Sequence, residues 1–155
     1  MKIIAVSDSH YNRVELMNLA QEIRRRGDIG VVIHLGDMEG DAQWLRSSLP
    51  IPVYSVPGNC DMNPGAPADI VLTLGGVRML ACHGHTHRVK FTLDPLAWRA
   101  RELNVPLALF GHTHAPCLLN EGGVLLLNPG ALRDGRYALL DAAGGDIGMP
   151  RLLTL

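Results

Sequence analysis

The stretch Lys2-Ile3-Ile4-Ala5-Val6-Ser7-Asp8-Ser9-His10 decides the reading of this chain. Lys2 to Val6 is a short, continuous run rich in Ile and Val, without polar alternation, the pattern of a strand buried on both faces. It gives way at once to Ser7-Asp8-Ser9-His10, polar side chains at the carboxyl end of a buried strand, where open α/β sheets gather their ligands. A helix is predicted next, capped by Asn12 with Glu15 in the capping-box position; Val14, Met17, Ala20 and Ile23 are read as its apolar stripe. Arg24, Arg25 and Arg26 suit the negative end of its dipole, and Gly27 ends it.

The pattern then repeats. Gly30 to Leu35 reads as a second buried strand, Asp41 to Leu49 as a shorter helix, and Val53 to Val56 as a third strand. Strand–helix–strand–helix–strand predicts a parallel sheet. Ile70 to Leu74 and Val77 to Cys82 flank Gly75-Gly76, a hairpin signal. Asp94-Pro95 supplies an N-cap and an N1 proline for a helix to about Asn104, and Leu107 to Phe110 is another buried strand. From Cys117 onward only strands and turns are read, with turns at Gly122-Gly123 and Gly144-Gly145. The expected architecture is α/β, two packed sheets with helices outside, in a single domain spanning residues 1–155.

Composition removes several function classes. Fourteen basic against fifteen acidic residues give no broad positive field for a nucleic-acid backbone, so a small substrate is expected and nucleic acid is not. Three cysteines without a CxxC pair form no disulfide framework and point to a reducing cytoplasm. The turn to polar residues at Ser7 is too early for a secretory leader, and no apolar run is long enough to span a membrane. There is no P-loop, dinucleotide fingerprint or Gly-x-Ser-x-Gly elbow. Oligomeric state is not legible.

Histidine is the composition's signal: five of seven fall between positions 83 and 114. Metal-competent residues follow five predicted strands in turn: Asp8 and His10, Asp37, Asn59, His83, then His112 and His114. Asp8 and His10, two apart in a segment read as extended, would point to one side, and His112 and His114 repeat that spacing. Oxygen and imidazole donors without thiolate suit Mn²⁺, Fe²⁺, Co²⁺, Ni²⁺ or Zn²⁺. Seven ligands exceed one tetrahedral site and suit two divalent ions about 3.5–4 Å apart sharing a carboxylate.

The series Asp8-x-His10, Gly36-Asp37, Gly58-Asn59, His83-Gly84 and Gly111-His112-x-His114 resembles the calcineurin-like metallophosphoesterase superfamily, in particular its small bacterial and archaeal phosphodiesterase branch. The resemblance covers residue 3 to the Asn128-Pro129-Gly130 turn. It implies a four-layer α-β-β-α sandwich of two mixed sheets, and a division of labour. Asp8, His10 and His114 would hold one ion, Asn59, His83 and His112 the other, with Asp37 bridging and Mn²⁺ the first choice of metal. It further implies a metal-bound hydroxide attacking phosphorus in line, on a small phosphate ester, diester before monoester, with Asn59 also reaching the phosphate. Many members carry a histidine after the asparagine; here Cys60 stands there, and His85 is the nearest candidate to assist the leaving group.

Other residues receive plainer readings. His34 is read as a packed, hydrogen-bonded strand residue, His87 as a solvent-facing or rim group, and Cys60 and Cys82 as small buried residues. Trp44 and Trp98 are read as core or interface anchors, and Arg88 and Arg133 as surface charges. The loops 61–69 and 88–93 are expected to shape specificity. The competing function is a protein-binding scaffold of the same fold, of which the superfamily has an example in the eukaryotic retromer; all seven ligand positions being intact speaks against it. A metallo-β-lactamase-like use of His83-x-His85-x-His87 would leave Asp8, His10, Asp37 and Asn59 unexplained.

Overall fold

The run at residues 2–6 is buried on both faces because it lies between a second sheet and a helix. In the computed structural model, which describes residues 1–62 and 65–155, this run is β1 (Lys2–Val6). Ile3 and Ala5 face inward, while Ile4 and Val6 face out against α1 (Arg13–Arg26). β1 pairs in parallel with β2 (Ile29–His34), and β2 with β3 (Val53–Ser55); α1 and α2 (Glu39–Ser48) make the crossovers. β9 (Arg136–Ala143) adds to the other edge of β1 in antiparallel register, carrying β10 (Asp146–Ile147) and β11 (Arg151–Thr154).

The second sheet runs β4 (Asp69–Leu74), β5 (Val77–Cys82), β6 (Leu107–Leu109), β8 (Val124–Asn128), β7 (Cys117–Glu121). Its pairs β5–β6 and β6–β8 are parallel and the two flanking pairs antiparallel, so both sheets are mixed. Ile3, Ala5, Val31 and Ile33 of the first sheet meet Met79, Ala81, Leu107, Leu109 and Leu127 of the second. α3 (Asp94–Glu102) covers the outer face of the second sheet through Leu96, Ala97 and Ala100. The layers are therefore helix, sheet, sheet, helix, as the resemblance implied. Residues 63 and 64, inside the loop expected to shape specificity, lie outside the described residues.

Local expectations fared unevenly. Asn12 caps α1 through Glu15 N, and Gly27 closes it in the left-handed conformation, as expected. The stripe was misphased: Val14 and Met17 are exposed, and the buried face is Leu16, Leu19, Ala20 and Ile23. A strict spacing of three drifts off the helical period, so nine residues at about 100° each turn Val14 about 180° away from Ile23. Asp94 is the first residue of α3 rather than its cap, which is Leu93. Trp44 is partly buried beside α1, whereas Trp98 points outward.

Candidate metal centre

The loops after β1, β2, β3, β5 and β6 meet at one end of the sandwich, and their backbones are tied to one another before any side chain is considered. Asp8 N donates to Gly36 O and Gly111 N to His83 O, at 3.0 and 2.9 Å. The glycines make this approach possible. A Cβ on Gly58 would overlap the Asp37 carboxylate and amide, and one on Gly111 would overlap the Ser7 hydroxyl and come within 2.8 Å of Asp8 Oδ2. Asp8, His10, Asp37, His112 and His114 all have positive φ, between 45° and 67°. The extended segment expected for Asp8-x-His10 and His112-x-His114 is therefore absent; each pair is brought together by a left-handed turn, a backbone strained for these residue types.

Asp8, His10, Asp37 and His114 form one cluster, with ligand atoms all within 4.8 Å of one another. Asp8 Oδ1 lies 3.0 Å from His114 Nε2, and His10 Nε2 lies 3.6 Å from Asp37 Oδ2. Asp8 is fully buried and is aimed by its neighbours: Oδ2 accepts from Ser7 Oγ at 2.5 Å and from His112 N at 3.0 Å. Among the described residues, Asp8 Oδ1 and His10 Nε2 are buried without a hydrogen-bond partner.

Around His83 Nε2 gather Asn59 Oδ1 at 3.0 Å, His112 Nδ1 at 3.2 Å and Asp37 Oδ2 at 3.5 Å. His83 Nδ1 lies 2.8 Å from Leu35 O, which can only accept, so Nδ1 carries the proton. In the neutral ring, Nε2 is then a lone pair facing two acceptor oxygens, with His112 Nδ1 its one possible donor. Acceptors this close repel unless a cation stands among them. Burial first, and then His83, lower the His112 pKa to about 4, leaving its lone pair free at neutral pH. Burial works to raise the Asp37 carboxyl, but the Cys60 N–H donated to Oδ1 at 3.0 Å, the neighbouring His83, the Cys60 side chain and His10 together outweigh it and hold the group below its ordinary value. Orphaned buried acceptors and an oxygen–imidazole donor set are what divalent cations require, and the residues fit them.

Residues 1–143 match the calcineurin-like phosphoesterase superfamily domain. The chain belongs to that superfamily. It is 35% identical over 133 residues to "Probable metallophosphoesterase YsnB" of Bacillus subtilis, covering 86% of this chain and 76% of that one. Among solved structures, a predicted phosphoesterase of Streptococcus pneumoniae superposes with a TM-score of 0.76 at 26% identity, over 99% of this chain and 97% of the other. Vps29 of Entamoeba histolytica, solved with Zn²⁺, shares the fold with a TM-score of 0.78 at 22% identity, over 100% and 98% of the two chains.

In this phosphoesterase domain all seven expected ligand residues stand together, with His85 beside them. His85 lies on a 3-10 turn (His85–His87), its ring 5.4 Å from that of His83 and 6.1 Å from that of His112. Its Nδ1 is buried without a partner, and burial followed by the neighbouring His83 lowers its pKa. Cys60 is exposed, contrary to expectation, because it sits on the tip of the loop whose backbone serves Asp37. Cys82 is buried, as expected. His34 is a packed strand residue, accepting from Gly36 N at 3.3 Å and meeting Ser9 Oγ at 3.0 Å. Of the two readings for His87, the rim one holds: it is half-buried against Asp69 at 2.8 Å. Arg88 and Arg133 are exposed, as expected.

The sequence reading missed the supports. Asp61 accepts from Gly58 N and Glu39 N, both at 2.8 Å, fixing the Asn59 loop. Asn128 donates to Gly111 O at 2.9 Å and to Thr113 Oγ1 at 3.0 Å, fixing the His112 loop. An aspartate three residues after Gly58 was the available signal for the first; the second is a long-range contact with no local signature.

Proposed function

We propose that the chain is a divalent-metal-dependent phosphodiesterase with a binuclear centre, using Mn²⁺ by preference. The observation that carries this reading is the cluster of Asp8, His10, Asp37 and His114, ligand atoms within 4.8 Å of one another, in which Asp8 Oδ1 and His10 Nε2 are buried with no hydrogen-bond partner among the described residues. Asp8, His10 and His114 would hold one ion, Asn59, His83 and His112 the other, with Asp37 reaching both. When bound, two such cations supply an acidified water as nucleophile and neutralise charge on the phosphoryl oxygens.

The chain's own residues do the rest. His83 keeps its proton on Nδ1, held by Leu35 O, so that Nε2 stays free for the metal side. The Cys60 N–H keeps Asp37 ionised and oriented. Partial desolvation and then the Asp37 carboxylate push the Cys60 thiol up, so it remains protonated and is a weak donor at neutral pH. His85, neutral at pH 7 and adjacent to the cluster, is the group that would hydrogen-bond the leaving oxygen. With no charged acid at Cys60, esters with good leaving groups are favoured. The choice of a diester rests on the likeness to the small phosphodiesterase branch, and a cytoplasmic setting rests on the three unpaired cysteines. Among the described residues no helix is long and apolar enough to cross a membrane.

The test is hydrolysis of a chromogenic phosphodiester and its matching monoester by chelator-stripped protein re-fed with Mn²⁺. Diester cleavage should return with metal, vanish in Asp37→Asn and His112→Ala, and fall most steeply in His85→Ala for the poorest leaving group. Folded protein that turns over neither ester with any divalent ion would overturn the enzymatic reading and leave the scaffold reading, which the Vps29-like fold accommodates.

A further inference from the structure

A second group of metal-competent side chains lies apart from the seven. In the β4–β5 hairpin Asp69 stands directly opposite Cys82, so the two side chains share one face of the sheet as cross-strand neighbours. The turn after β5 folds His87 back over that face. Gly84, at φ 107°, makes this reversal, and a Cβ there would come within 2.8 Å of Val89. His87 Nε2 thereby reaches Asp69 Oδ2 at 2.8 Å. The Asp69 carboxylate, the Cys82 thiol and the His87 imidazole each offer an atom within 4.8 Å of the other two.

An ion pair between Asp69 and His87 does not account for this arrangement. It leaves Asp69 Oδ1 buried with no partner among the described residues, and the fully buried Cys82 Sγ bonded only as a weak thiol donor to Leu109 O at 3.7 Å. A single cation would satisfy all three groups. One thiolate, one carboxylate and one neutral imidazole around a divalent ion sum to zero charge, which removes the main objection to burying them. The mixture of sulfur, nitrogen and oxygen donors is the set that Zn²⁺ accepts, and three protein ligands leave the fourth tetrahedral position to water.

We propose that Asp69, Cys82 and His87 form a separate Zn²⁺ site that clasps the β4–β5 hairpin to the turn bearing His85. On binding, the Cys82 S–H bond breaks and a Zn–S bond forms, the ligating nitrogen of His87 gives up the proton it shares with Asp69, and the protons released leave to solvent. The site is independent of the binuclear reading, because none of those seven ligands is a cysteine.

The test uses the full chain as C60S/C117S, in which Cys82 is the only thiol, stripped with chelator and titrated with Co²⁺. A thiolate-to-cobalt charge-transfer band in the near ultraviolet should appear, be displaced by Zn²⁺, and persist when Asp37→Asn is added. His87→Ala and Asp69→Asn should weaken the Co²⁺ affinity read from that band by at least about tenfold, in line with the loss of a metal ligand. Both positions are partly solvent-accessible, so these variants test the site even where Cys82→Ser fails to fold. Absence of the band at saturating Co²⁺, or a band indifferent to both substitutions, would overturn the site.

Discussion

Gly58→Ala should damage both fold and chemistry, although it adds one methyl group beside no catalytic atom of its own. The new Cβ would overlap the Asp37 amide and Oδ1 and lie 2.8 Å from its Cγ. Because backbone as well as side chain is struck, a rotamer change cannot relieve the clash. Overpacking of this kind costs about 1–3 kcal/mol. Moving Asp37 also breaks the bond from Cys60 N to its carboxylate, which as a hydrogen bond to a charged group is worth about 1.5–3 kcal/mol. Together this is about 2.5–6 kcal/mol, which for a domain of this size lowers the melting temperature by about 5–24 °C. A displacement near 1 Å at the centre would cost about 10²-fold in turnover. Circular-dichroism melts and Mn²⁺-supported diester hydrolysis read the two effects. Gly65→Ala is the control: among the described residues nothing lies within 4 Å of its added Cβ, so the change should stay within about 0.5 kcal/mol. If Gly58→Ala melts and turns over like Gly65→Ala, the idea that these loops are held by backbone-to-backbone packing is wrong.

Two further outcomes follow from the same geometry. Metal should stabilise the protein: at free Mn²⁺ about 100-fold above its dissociation constant, each bound ion contributes about 2.7 kcal/mol, or about 5–11 °C in melting temperature. Scanning calorimetry of stripped and reloaded protein checks this, and an unchanged melt on reloading would refute it. Acid should weaken the metal-free fold. His112, lowered to about 4, and the buried His34, also lowered by desolvation, bind protons less readily folded than unfolded, where the ordinary value is 6.5. Their contribution to stability is therefore present above pH 6.5 and is lost as pH falls below it, that of His112 as pH falls through about 4. Melts between those limits measure it, and a flat profile would contradict the burial assigned to both rings.

The frame was legible because its signals are local. Continuous apolar runs at residues 2–6 and 77–82, a capping box at Asn12 and paired glycines at turns each state their own geometry within a few residues. The candidate ligands were legible as a group for a related reason, since donors recur at the carboxyl ends of successive strands. What stayed hidden was conformation and support. Nothing in Asp-x-His says that both residues turn left-handed, because that strain is imposed by contacts arriving from distant loops. The Asn128–Gly111 and Asp69–His87 pairs likewise join residues 17 and 18 apart and leave no periodic trace. The misphased stripe of α1 is a different failure: Val14 and Met17 are apolar, yet the phase is set by Leu16 and Leu19, which reach the sheet.

The glycines before Asp37, Asn59 and His112 acquire a physical meaning that their spacing alone did not supply. At Gly36 a Cβ would meet His83 Nδ1 at 2.7 Å, at Gly58 it would meet Asp37, and at Gly111 it would meet Ser7 and Asp8. Each glycine thus clears space for a ligand, or for a ligand's support, on a different strand. The loops interlock, so the position of any one ligand is set by the backbone of its neighbours. Hydrogen bonds then orient the side chains: Leu35 O sets the His83 tautomer, Ser7 the Asp8 carboxylate, and Cys60 N the Asp37 carboxylate. Such a cage would hold mutually repelling acceptors in place ahead of a cation, storing part of the folding free energy as electrostatic strain that a bound ion would release. That arrangement explains why left-handed turns, buried orphan acceptors and forbidden Cβ positions coincide at one end of the sandwich.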